Sequence, residues 1–251
     1  MVFMFFLLIA CAPIDAPEDF DALNSYLYEK FHEKPKYLEA GLENLYAWLP
    51  ENEADLEEGY RVENLSSAAI ESVEQTAPEE LVGVATSIDI NYSVDEIAYV
   101  HFGIDPEDLN PDEDAYNDRE YLTDKQCFLD HSCDLVQYES EIQVFLPLNI
   151  EVISYIFSEA RWVDTEWGPA YIQRRYLTKE PEPSADWVNI GAEYGFIITL
   201  PQESGLVKRI EATWIDLSLD GLPVTEAMAT QLGLSTLQSS IQETTTYLDT
   251  H

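Results

Sequence analysis

The sequence predicts an α+β protein: a helical N-terminal part, then a curved antiparallel sheet packed on a C-terminal helix. Three observations point there. Apolar residues recur at threes and fours before residue 80, alternate at a spacing of two between Val136 and Leu219, and return to helical spacing from Ala227 onward. Glycines are few and scattered singly, ten among 251 residues, so no glycine-rich phosphate-binding loop is present.

Residues 1–10, Met-Val-Phe-Met-Phe-Phe-Leu-Leu-Ile-Ala, are wholly apolar and run into Cys11. A helix needs roughly 20 residues to span a bilayer, so this run fits the apolar region of a secretory signal. Residues 11–18 then form a proline-containing tether. Within 19–80, Phe20, Leu23, Leu27 and Phe31 share one helical stripe, and Leu38, Leu42, Leu45 and Leu49 share another. Pro35 divides the two, and Pro50 is expected to end the second. Glu51 to Glu58 reads as an acidic connector, and Leu65 to Val73 as a weaker helix with Ser66 or Ser67 as cap.

The remainder, 81–251, reads as one α+β antiparallel-sheet unit. Val84 to Tyr92 alternates as a strand. Ser93 and Glu96 form a capping box for a short helix to Phe102. Asp105 to Glu120 is irregular and rich in carboxylates. Asp108, Asn110, Asp112 and Asp114 offer oxygens to calcium, but Glu113 stands where an EF-hand needs glycine and Arg119 where it needs glutamate. A solvated acidic loop is the other reading. Val136 to Leu146, Glu151 to Val163, Ala170 to Lys179, Val188 to Leu200 and Val207 to Leu219 are five strands, with a turn at Trp167-Gly168-Pro169. The alternation places Val188, Ile190, Tyr194, Phe196 and Ile198 on one face. After a turn at Asp220-Gly221 and a helix start at Pro223, Met228, Leu232, Leu237, Ile241 and Leu248 form an apolar stripe. Gly233 is expected to kink or divide that helix.

Charge excludes some partners. With 49 acidic against 12 basic residues the net charge is −37, so a surface for nucleic acid or anionic lipid headgroups is not expected. Arg161, Arg174, Arg175 and Arg209 stand out in so acidic a chain. They either face an anionic ligand group or pair with carboxylates on neighbouring strands. The four histidines show no nucleophile-elbow or zinc-protease spacing, and no catalytic set or cofactor is assigned.

Two family resemblances add to this reading. Leu8-Ile9-Ala10-Cys11 resembles the lipobox of bacterial lipoproteins, although no Lys or Arg precedes the apolar run, which suggests a start further upstream. The resemblance implies lipidation of Cys11 and an exported protein held at the cell envelope by its lipid. An ordinary signal peptide is the alternative. With Cys11 so assigned, Cys127 and Cys133 remain as a pair in an oxidising compartment, which favours a disulfide over a metal site using His131. The order of elements over 81–251 resembles the helix-grip fold of START-like and polyketide-cyclase-like proteins. That resemblance implies a lipid or other hydrophobic small molecule between sheet and terminal helix, with Tyr194, Phe196, Trp214, Arg174, Met228 and Ile241 as candidates to line its cavity. The competing expectation is a non-enzymatic interaction protein with a filled core and an acidic partner-binding face.

Overall fold

A computed structural model describes residues 14–78, 81–109, 117–146, 150–219 and 226–251. The apolar run 1–10, Cys11, the loop residues Asn110, Asp112, Glu113 and Asp114, and the turn from Asp220 to Pro223 lie outside the described residues.

Helix α1 (Phe20–Glu29) starts at Asp19, whose carboxylate accepts from the Ala22 amide at 3.0 Å, and it buries Phe20, Leu23 and Leu27. A single 3₁₀ turn, Lys30–His32, leads to α2 (Pro35–Glu58). Contrary to expectation, α2 continues through Pro50, and the acidic connector is its last two turns. Proline removes one intrahelical hydrogen bond, but contacts beyond the helix anchor the turns after it. Leu56 is fully buried, and Glu53 and Glu57 reach Lys208 at 2.5 and 3.1 Å. Strand β1 (Tyr60–Val62) and helix α3 (Ser67–Glu71) come next, the latter capped by the Ser66 hydroxyl on the Ala69 amide.

Strand β2 (Val82–Ile90) leads into α4 (Val94–Ala98), where both halves of the Ser93–Glu96 capping box form, and on into a π-helical turn, Tyr99–Gly103. After α5 (Pro106–Leu109) come β3 (Asn117–Tyr121) and α6 (Lys125–Leu129). The latter brings Cys127 and Cys133 to disulfide distance, Cα to Cα 5.3 Å. Strands β4 (Leu135–Leu146), β5 (Ile150–Thr165), β6 (Gly168–Leu177), β7 (Glu182–Pro183), β8 (Val188–Pro201) and β9 (Val207–Leu219) precede helix α7 (Glu226–Thr250). All pair antiparallel in one sheet of order β1-β2-β9-β8-β6-β5-β4-β3, with the short β7 pairing β5.

The two faces of this sheet are covered by different parts of the chain. Helices α1 to α3 pack on one face against Tyr194, Phe196, Ile198, Ile210, Ala212 and Trp214. The turn Tyr99–Gly103, α4, α6 and α7 lie on the other. A β-bulge at Gly191 corrects the expected alternation. Ile190 pairs with Leu217 but Ala192 pairs with Asp216, so one extra residue is inserted and the facing inverts. Val188 and Ile190 therefore share the α7 face with Leu217, whereas Tyr194, Phe196 and Ile198 look toward the N-terminal helices. The helix is also undivided. Gly233 lies against β2, where a Cβ would come within 2.6 Å of Val84 Cγ2, so this glycine permits close approach rather than a kink. Ala229, Gly233, Leu237, Ile241 and Thr244 form the buried stripe, and Met228 is 53% exposed on the outside.

Candidate functional site

Beneath α7 the strands carry an unusually polar set of buried side chains. Arg209 and Glu211 lie two apart on β9, hence on one face, and pair at 2.5 Å with both side chains almost fully buried. The guanidinium also reaches His101 Nδ1 at 3.1 Å and the Tyr171 hydroxyl at 3.3 Å. His101 comes from the π-helical turn, and its Nε2 lies 3.0 Å from Thr244 Oγ1 on α7. Since the arginine only donates, Nδ1 must accept, so the ring is neutral and Nε2–H donates to Thr244. The Thr244 hydroxyl then donates to the Ser240 carbonyl at 3.1 Å. Burial, with Arg209 and Arg119 nearby, pushes the His101 pKa well below its ordinary 6.5 and keeps the imidazole uncharged. This chain of bonds ties the terminal helix to the sheet.

Further along the same face, the register lays side chains in rows across the strands. The row Tyr138, Ser158, Arg175, Gly195 and Thr213 borders the polar network. Beyond it the rows mix aliphatic and small polar side chains: Ser140, Ile156 and Leu177, then Ile142 and Ser154, with Glu193, Ile215, Leu217 and Ile190 from the other side. Ile142, Ile215, Leu217 and Leu219 are only half-buried. Here β6 and β8 part, because their pairing ends at Tyr176 and Tyr194. A half-open cleft of about 290 Å³ lies at this gap, lined by Gln75, Leu177, Thr178, Ala192, Glu193 and Tyr194 among others; Gln75, Ala192 and Tyr194 belong to the side of the N-terminal helices rather than to the α7 face.

Of the residues expected at a cavity, Ile241 lies on the buried side of α7. Tyr194, Phe196, Trp214 and Arg174 stand on the opposite face, and Met228 faces outward. Arg174 is held by Glu159 at 2.6 Å and by the carbonyl of Tyr28 at 2.8 Å, with its guanidinium 4.7 Å from the centre of the Phe31 ring. Burial raises the Glu159 pKa, but hydrogen bonds from His32, Gln137 and Arg174 and the Arg174 charge outweigh it, and the carboxyl is held below its ordinary value. Arg161 pairs with Asp134 at 3.3 Å, and Arg175 lies 3.7 Å from Glu193. Sequence reasoning missed His101, Tyr171, Glu211 and Thr244 as a group. Their only local sign is the Arg209–Glu211 pair, two opposite charges two residues apart on one face of a strand.

Glu53, Glu57 and Asp89 place carboxylate oxygens close enough for a metal ion. Lys208 Nζ already occupies their centre, at 2.5, 3.1 and 2.8 Å, and supplies the positive charge. Among the described residues no helix is long and apolar enough to cross a membrane.

No protein-family model and no curated protein matches the chain. Among solved structures it is similar to a START superfamily protein from Mycobacterium smegmatis, at 10% identity and TM-score 0.43, over 66% of this chain and 97% of that one. It is also similar to the Zhui aromatase/cyclase from Streptomyces sp. R1128, at 10% identity and TM-score 0.40, over 66% and 90%. Norcoclaurine synthase from Thalictrum flavum is a third, at 11% identity and TM-score 0.39, over 68% and 88%. The architecture stands on the chain's own strand register, and no activity is carried over from these proteins.

Proposed function

We propose that this chain is an exported binding protein, anchored at the bacterial cell envelope through a lipid on Cys11, that takes a hydrophobic small molecule between its sheet and α7. The observation that supports it is the apolar end of the α7 face. Ile142, Ile215, Leu217 and Leu219 remain half-buried there. Half-exposed aliphatic side chains grouped on one face of a sheet are what an apolar ligand would cover. Solvent extracts of the folded, purified protein, read by mass spectrometry, should contain a stoichiometric apolar compound. An empty extract, together with no binding of an apolar dye, would sink the binding role.

The second reading is an interaction protein with a filled interior, using its acidic surface to meet a partner. The closely bonded Arg209–His101–Thr244 network, which fills the space under the second half of α7, favours it. The same extract decides between the two. The anchor has its own test: a clickable fatty acid should label the wild type and spare Cys11→Ser, and equal labelling of both would remove the lipid assignment.

A further inference from the structure

His101 is the joint on which the end of α7 rests, and both of its ring nitrogens are committed. Nδ1 accepts from the Arg209 guanidinium and from the Tyr171 hydroxyl, each at 3.1 Å, and Nε2–H donates to Thr244 at 3.0 Å. Arg209 and Tyr171 are 1% and 0% exposed, so Nδ1 is turned into the interior. Around the same turn stand Glu211 of β9, paired with Arg209, and Arg119 of β3, which donates to the His101 carbonyl. Tyr121 of β3 donates to the Phe102 carbonyl at 2.8 Å, and Lys125 of α6 lies 3.5 Å from that of Gly103. Past the joint the helix is held lightly. Thr244 is its last buried residue, Leu248 is half-buried, and the Tyr92 hydroxyl meets the Leu248 carbonyl at 3.0 Å and Asp249 at 2.9 Å. Thr244-Thr245-Thr246 is a run of β-branched residues, which favour a helix only weakly, so these turns depend on contacts outside the helix.

We propose that the His101 joint is a proton-operated clasp: when the imidazole takes a second proton, the last turns of α7 lift from the sheet. The proton can add only at Nδ1, since Nε2 already carries one. The new Nδ1–H would point at a guanidinium that has no lone pair to accept it, and two cations would stand 3.1 Å apart in the interior. The ring lies between Arg209 on the sheet and Thr244 on the helix, so it reaches water by leaving Arg209, and Thr244 leaves with it. The open form binds a proton that the closed form refuses. The opening constant therefore rises about tenfold for each pH unit below 6.5, the ordinary histidine value, until the depressed value of the closed form is reached. The clasp acts on the helix itself and stands whether or not a ligand lies on that face.

The test is hydrogen exchange of the full chain, read by mass spectrometry and corrected for the intrinsic pH dependence of exchange. Between about pH 6 and about pH 5, peptides covering residues 240–250 should lose protection about tenfold, while those covering β8 and β9 keep theirs. His101→Gln should abolish the loss, because its amide accepts from Arg209 and donates to Thr244 as the neutral ring does and takes up no proton. The same acid loss in the variant, or a loss spread evenly over the sheet, would overturn the clasp. A side-chain NMR titration of the wild type gives a second readout that needs no variant. Charging of the His101 ring in step with the lost protection supports the clasp, and charging while the helix end stays protected would overturn it.

Discussion

The two faces of the sheet bury charge in opposite ways. On the face toward the N-terminal helices, Arg174 and Glu159 form a closed island, walled by the Tyr28 and Phe31 rings and surrounded by aromatic and aliphatic core. On the α7 face, Arg209 and Glu211 begin a chain of polar contacts that crosses to the π-helical turn and on to α7. The first arrangement seals a core. The second fixes one helix and stops, leaving Ile142, Ile215 and Leu217 half-covered. Ion pairing inside this protein thus does two jobs, sealing one face and tethering a helix on the other.

The comparison breaks first at Glu159. Glu159→Ala leaves the Arg174 charge buried without its carboxylate, which should cost about 3–5 kcal/mol in urea unfolding. A loss below about 1 kcal/mol would mean that the island is not what seals that face. Gly233→Val comes next. The added side chain meets Val84 and should cost about 1–3 kcal/mol by overpacking. Val84→Ala in the same chain should restore part of it, and no recovery would mean that α7 does not rest on β2 at that point.

Acid acts on the α7 face through His101. The ring is held neutral in the folded protein, so below about pH 6.5 the unfolded chain takes up a proton that the folded one refuses. The stability this imidazole contributes is complete above pH 6.5 and is lost as pH falls toward its depressed folded value. His101→Gln should flatten the urea midpoint against pH below 6.5, and an unaltered slope would locate the acid sensitivity elsewhere. The smallest effect belongs to Met228→Lys, on the exposed side of α7, expected within about 0.5 kcal/mol of wild type. A loss well beyond that would return Met228 to the buried stripe the sequence suggested.

What the sequence determined by itself is local. The sequence pattern marked six of the strands, and the Ser93–Glu96 and Ser66 caps sit where their spacing put them, because capping and pleat depend on residues only a few positions apart. The order of helices, antiparallel sheet and terminal helix comes from the same periodicities. Tertiary structure alone decided the rest. A bulge at Gly191 inverted the facing of β8, and no periodicity announces an inserted residue when both faces are apolar. Leu56 and the carboxylates around Lys208 carried α2 past Pro50, through contacts between segments far apart in the chain. Gly233 proved to be a contact point rather than a break, because its role depends on Val84 across the interface. Arginines that look alike in sequence became a sealed core pair, a helix tether and a half-free donor. The difference between them is the distance to a carboxylate, which only the folded chain sets.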